Sequence, residues 1–170
     1  MSNIQLVRLD PVIEHALAGD KDFMDALAHD NWARVAELVH GRVGRTLVPV
    51  PVSVNELQWG GYFVVDEETC EVIGSCAFKA PPSEDGAVEI AYFTYPTFER
   101  RGYATEMARK LIELASSSTD VRRIVAHTLP EANASTRVLE KAGMNFVGEG
   151  LDPEDGRVWR WELSTEARVE

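Results

Sequence analysis

"FERRGYATEMARKL", residues 98–111, sets two arginines and a glycine against the start of an apolar stripe. Ala104, Met107, Ala108, Leu111, Ile112 and Ala115 keep an i, i+3, i+4, i+7 spacing, so a helix is expected from about Gly102 to Ser116. The first amides of a helix lack internal partners, and the dipole makes that end partially positive. Gly102 lets backbone approach an anion closely, and Arg100 and Arg101 add charge-assisted donors. The stretch is not a phosphate-binding P-loop, because no Gly-Lys-Ser/Thr follows. It is not a dinucleotide fingerprint, because the second and third glycines are missing. A surface turn whose arginines pair with Glu99 or Glu106 would also fit these residues.

Working outward, the residues before this helix are rich in strand formers. "GGYFVVD" (60–66), "EVIGSCAFK" (71–79) and "AVEIAYFTY" (87–95) are β-branched and aromatic runs joined by short turns, which predicts antiparallel hairpins. After it, "RRIVAHTL" (122–129) reads as a strand and "ASTRVLEKAG" (134–143) as a helix. "NFVGEGL" with "RVWRWEL" reads as a closing hairpin. At the other end, "IQLVRL" (4–9) alternates as a strand, and Asp10-Pro11 opens a short helix ending at Gly19. Asp20 caps a second helix carrying Phe23, Met24 and Leu27, and a third runs from Trp32 to Val39, ending near Gly41. "TLVPVPVSV" (46–54) is broken by Pro49 and Pro51 and reads as a loop, although those prolines would permit an edge strand. The order β-ααα-βββ-α-β-α-ββ predicts an α/β (α+β) fold with a mixed, mostly antiparallel sheet flanked by helices. One domain is expected over 1–170, since no repeat or Gly/Ser linker divides it.

The 170 residues carry a formal net charge of −11, which argues against nucleic acid as a partner, because counterion release needs a basic face. Acidity leaves room for a cationic partner such as an amine, or simply keeps the protein soluble. Cys70 and Cys76 form neither a disulfide framework nor a zinc motif, so a reducing, cytoplasmic setting is expected. No apolar run nears the roughly 20 residues of a membrane helix, and residues 1–10 lack a signal-peptide layout. His15, His29 and His40 lack metal-ligand spacing, so no metal is expected. His127 sits in a strand without a partner motif and reads as structural. Cys76 reads as a buried strand residue, and Trp59, Tyr62, Trp159 and Trp161 as core or pocket wall.

Taken together, "VEIAYFTYPTFERRGYATEMARKLIELA" and "ASTRVLEKAGMNFVGEG" resemble the GNAT family of acyl-CoA-dependent N-acetyltransferases, in the right order and spacing. The likeness runs across about residues 59–163, and is nearest to the subgroup that acetylates N-terminal amines of ribosomal proteins. It implies the GNAT fold, acetyl-CoA as co-substrate, and an amine as acceptor. Residues 1–58 then supply the acceptor side and 59–163 the cofactor core. In that family a Gln/Arg-x-x-Gly-x-Gly/Ala turn holds the cofactor pyrophosphate through its amides. Here the turn is Glu99-Arg100-Arg101-Gly102-Tyr103-Ala104, followed by Thr105. Gly102 and Ala104 match, whereas Glu99 replaces the usual Gln or Arg and should point to solvent or pair with an arginine. Screening over roughly 8 Å lets local donors outweigh the diffuse acidity of the chain.

The resemblance also places a carbonyl-holding amide at Phe93, with Thr94 and Tyr95 following along the pantetheine arm. Asn133 resembles the family's pantetheine-contacting Asn. A lysine-type amine must lose roughly 3.4 pH units of protonation, about 4.6 kcal/mol, whereas an α-amine needs only about 1–1.4 kcal/mol. Glu89, in an otherwise apolar strand and matching the glutamate of histone-acetylating relatives, is the candidate base; pairing across strands with Lys79 or an arginine is the structural alternative. Leu139 stands where many members carry a Tyr acid. Ser135 matches the serine that the N-terminal-amine subgroup carries instead; alternatively, Ser135 or Asn133 simply caps the helix. Two functions follow: direct N-acetyl transfer, or a non-catalytic acyl-CoA sensor on the same fold. A homodimer is common among such relatives.

Overall fold

A computed structural model of the chain describes residues 3–8, 16–29, 32–43, 59–69 and 71–165. The described strands form one seven-stranded sheet. They are β1 (Ile4–Arg8), β2 (Gly61–Asp66), β3 (Val72–Phe78), β4 (Ala87–Thr94), β5 (Arg123–Thr128), β6 (Asn145–Asp152) and β7 (Gly156–Ser164), in spatial order β1-β2-β3-β4-β5-β7-β6. Helix α1 spans Lys21–Ala28, α2 Trp32–Val43, α3 Tyr103–Ser116 and α4 Ala134–Lys141. Apart from the first expected helix, the expected α/β order is present. The helix expected from Pro11 to Gly19 lies outside the described residues as far as His15, as does the whole loop at 46–54.

Every strand pair is antiparallel except β4 with β5, which α3 connects as a parallel crossover. The α3 stripe packs on one sheet face. Met107, Ala108, Leu111 and Ala115 are fully buried against Ile73, Val88, Ile90 and Ile124. The other face receives α1 and α2 through Phe23, Val35 and Leu38 on Phe63. Successive strand residues point to opposite faces, which is why Phe63 joins this second cluster while Tyr62 and Val64 join the first.

Asp20 caps α1 as expected, accepting from Phe23 N at 3.1 Å. Helix α2 corrects the expected stop near Gly41 by running on to Val43. A glycine weakens a helix by roughly 1 kcal/mol but does not end it unless the chain needs a left-handed turn there. Gly74 has a stricter role. A Cβ at this position would lie 2.1 Å from the Phe93 carbonyl oxygen and 2.9 Å from Met107 Cε. Its absence lets β4 and α3 close onto β3 where the sheet begins to open.

Candidate active site

That opening is a fork. β4 and β5 pair only over Ala87–Glu89 with Arg123–Val125, after which β4 continues to Thr94 while β5 follows β7. Lys79 N donates to Glu89 O at 2.9 Å, and Tyr95 N donates to Ile73 O at 3.0 Å. Ladder alternation between those points turns the Phe93 amide toward β3 and the Tyr92 and Thr94 backbone groups toward the fork. The carbonyl-holding amide expected at Phe93 is thus corrected by geometry, because side-chain pattern does not reveal which edge an amide faces. Phe93 reaches the fork with its ring instead, half-exposed and edge-on to Tyr95 at 5.9 Å. Thr94 Oγ1 is buried beside the cleft without a hydrogen-bond partner among the described residues.

β4 leaves the fork through a short 3-10 turn, Pro96–Phe98, where Phe98 N donates to Tyr95 O at 2.8 Å. Two left-handed residues follow: Arg100 at φ 65° and Gly102 at φ 83°. A non-glycine residue in that region costs free energy, and such alternation makes a concave nest of amides. Gly102 is the residue before α3, and its carbonyl accepts from Glu106 N at 3.2 Å. The amides of Tyr103, Ala104 and Thr105 begin the helix without intrahelical acceptors. A Cβ on Gly102 would meet nothing within 4 Å, so space for an anion lies directly over the turn.

The turn is anchored from below. Tyr103, itself buried, donates its hydroxyl to Asp66 Oδ2 at 2.6 Å. That bond, followed by the Thr69 and Glu68 amides, holds the Asp66 carboxyl below the usual carboxylate range. Arg101 lies over the Phe98 ring at 5.6 Å. Glu99 is exposed at the cleft mouth, with its amide in the 3-10 turn.

Helix α4 forms the opposite wall. Asn133 Oδ1 accepts from Thr136 N at 3.0 Å, and Thr136 Oγ1 accepts from Asn133 N at 3.0 Å, a reciprocal capping box. The cap therefore belongs to Asn133, which leaves the Ser135 hydroxyl for other work. Ser135 Oγ lies 3.0 Å from Tyr92 Oη, across the gap between α4 and β4. Burial pushes the Tyr92 phenol up, while the Ser135 hydrogen bond acts the other way. Arg137 and Lys141, one helical turn apart, line the cleft beside Arg100. The cleft measures about 590 Å³. Tyr92, Arg137 and Lys141 were absent from the sequence-based set, although the i, i+4 spacing of the two cations after the cap was a visible signal.

On the sheet face shared by Phe93, Glu89 does meet Lys79, with Nζ 2.9 Å from Oε1. His127 Nδ1 reaches the same oxygen at 2.7 Å. Burial raises the Glu89 pKa most, but the His127 and Lys79 hydrogen bonds together overcome it and hold the carboxyl below its ordinary range. His127, which has no partner motif in the sequence, pairs with a residue 38 positions away. No group of three or more metal-ligating side chains occurs among the described residues.

A model of the acetyltransferase (GNAT) domain matches residues 5–145. The chain belongs to the GNAT acetyltransferase family. Among relatives of this GNAT chain, the uncharacterized N-acetyltransferase YjdG of Bacillus subtilis is 35% identical over 48% of the chain and 49% of its own length. The uncharacterized N-acetyltransferase p20 of Bacillus licheniformis is 33% identical over 58% and 56%. The chain thus spans about half the length of these relatives. Among solved structures, the ribosomal-protein α-N-acetyltransferase RimL in complex with coenzyme A shares the fold at 16% identity, a TM-score of 0.61 and coverage of 96% and 95%. The cleft of this GNAT protein has the chemistry of an anion seat. It combines a left-handed amide turn, open space at Gly102, an unpaired buried Thr94 hydroxyl and three cationic side chains at the rim.

Proposed function

We propose that this protein is an acetyl-CoA-dependent N-acetyltransferase that passes the acetyl group directly to an amine of a small molecule or a peptide N-terminus. The observation that carries this reading is the β4–β5 fork opening onto the nest at Arg100–Gly102. Residues of one continuous cleft thereby address both ends of the cofactor, which supplies an activated acetyl thioester. Amides of Gly102 to Thr105, with Arg100, Arg101, Arg137 and Lys141, hold the pyrophosphate. Tyr92 and Thr94 offer backbone groups to the arm, the acetyl carbonyl among them, while Phe93 and Tyr95 flank it with their rings. Asn133 retains its Nδ2 for the arm after Oδ1 caps α4.

Ser135, backed by the Tyr92 phenol, donates a proton to the departing thiolate. Glu89 serves the acceptor side, on the face that α1 and α2 also cover. Residues 1–58 shape the acceptor pocket and residues 59–163 the cofactor core of a single cytoplasmic domain. The solved neighbour named for ribosomal-protein α-amines supports that subgroup as one to test first, and dodecamers of a spermidine N-acetyltransferase of the same fold make a homo-oligomer worth measuring.

One observation favours a second reading, a non-catalytic acyl-CoA sensor. Leu139 is fully buried in the core and offers no acid where other members place a tyrosine. Thiol release from acetyl-CoA across a panel of small amines, polyamines and peptide N-termini decides between them. Turnover above blank supports the transferase; tight CoA binding measured by calorimetry without turnover supports the sensor.

A further inference from the structure

Resting on the transferase reading, we infer that His127 is the group that takes the acceptor's proton, and that Glu89 is a positioning residue acting through it. The register places the pair at the mouth of the fork. Glu89 and Val125 are the last paired residues of β4 and β5, and His127 lies two positions beyond, across the fork from Ala91. Glu89, Ala91 and Phe93 alternate onto one strand face, and Phe93 already lines the cleft.

Glu89 Oε1 is engaged twice, by His127 Nδ1 at 2.7 Å and by Lys79 Nζ at 2.9 Å. An oxygen holding two donors is a weak proton acceptor. It is well suited to fixing an imidazole with its proton on Nδ1, so that the lone pair lies on Nε2. The other charged groups around the pair are Lys79 from the end of β3, Asp152 and Asp155 from the β6–β7 turn, and Arg160 beside His127 on β7, itself bonded to Glu162 at 2.9 Å.

The step balances within the chain. His127 Nε2 accepts a proton from the acceptor ammonium, and the freed nitrogen forms its bond to the acetyl carbon as the carbon–sulfur bond breaks. Ser135 protonates the leaving sulfur and is reprotonated, through Tyr92 and water, by the second proton, which the acylated nitrogen sheds as the amide forms, and the imidazolium returns the first proton to water.

Two measurements test this. Long-range ¹H–¹⁵N spectra of histidine-labelled protein at high pH should show His127 as the Nδ1–H tautomer; an Nε2–H tautomer overturns the assignment. With the best amine of the panel, kcat/KM should show an acidic limb that His127→Gln abolishes, with at least a tenfold loss in kcat and CoA affinity kept. Glu89→Gln should move that limb to lower pH, and Lys79→Met to higher pH. Wild-type turnover with an unchanged limb in His127→Gln overturns this inference alone. Wild type that binds CoA yet acetylates no amine overturns the transferase reading, and this inference with it.

Discussion

Tyr103 Oη donates to Asp66 Oδ2 at 2.6 Å, tying the first residue of α3 to the last residue of β2. Asp66 also accepts from the Glu68 and Thr69 amides, so one carboxylate organises both a turn and the base of the anion nest.

Tyr103→Phe is expected to lower stability at neutral pH and to do so pH-dependently. The folded Asp66 carboxyl is held below its usual range, so its contribution is present above an unfolded value of about 3.9 and is lost as pH falls through the folded value. Urea unfolding should therefore show a gap between wild type and variant that is full above about pH 5 and narrows below about pH 4. A gap of constant size would remove Asp66 ionisation from the account.

Gly102→Val is expected to weaken CoA binding at least tenfold. Nothing within 4 Å opposes the new side chain, so its cost to the fold is the left-handed backbone alone, about 1–2 kcal/mol. Gly156→Val is the matched control, because Gly156 has φ 75°, is equally open, and opens β7 just after the β6–β7 turn rather than lining the cleft. Calorimetry with CoA should separate the two, and equal affinities would argue against the nest as the phosphate seat.

Ser135→Ala and Tyr92→Phe should each reduce kcat roughly a hundredfold with little change in CoA affinity. Asn133→Ala should do the reverse, costing about 1 kcal/mol of stability through the lost cap. Thermal unfolding beside steady-state rates makes the contrast visible. If Ser135→Ala instead destabilises and Asn133→Ala does not, the division of labour between them is mistaken.

Gly74→Ala should destabilise by about 1–3 kcal/mol, since a methyl 2.1 Å from the Phe93 carbonyl oxygen forces backbone to move. A Tm within error of wild type would show that β3 and β4 separate there without cost.

Most of the fold was legible because its signals are local. The α3 stripe, the Asp20 cap and the hairpin turns each lie within a few residues, and each appears where the pattern put it. Helix α2 ends two residues past Gly41, because glycine ends a helix only where a left-handed residue is needed, and residue spacing does not show that. In the cleft, the glycine turn before α3 and the start of α4 could be read from local spacing. His127 could not, because its contact with Glu89 exists only through the parallel register of β4 and β5. Nor could the amide directions of Phe93 and Tyr92, which depend on ladder phase rather than on side-chain type. The competition between Asn133 and Ser135 for the cap was settled by Thr136, a residue whose reciprocal hydroxyl the motif did not single out.

The fork also governs how the molecule opens. β1–β4 and β5–β7 meet directly over the Ala87–Glu89 pairing, while α3 and the core beneath bridge them from one face. Hydrogen exchange should then report two cooperative blocks with distinct protection, joined by a seam that yields before either block does. A molecule bound along the seam would couple them, slowing exchange at Ile90–Thr94 and Ala126–Thr128 together. Local opening, and not only global stability, would then depend on cofactor concentration.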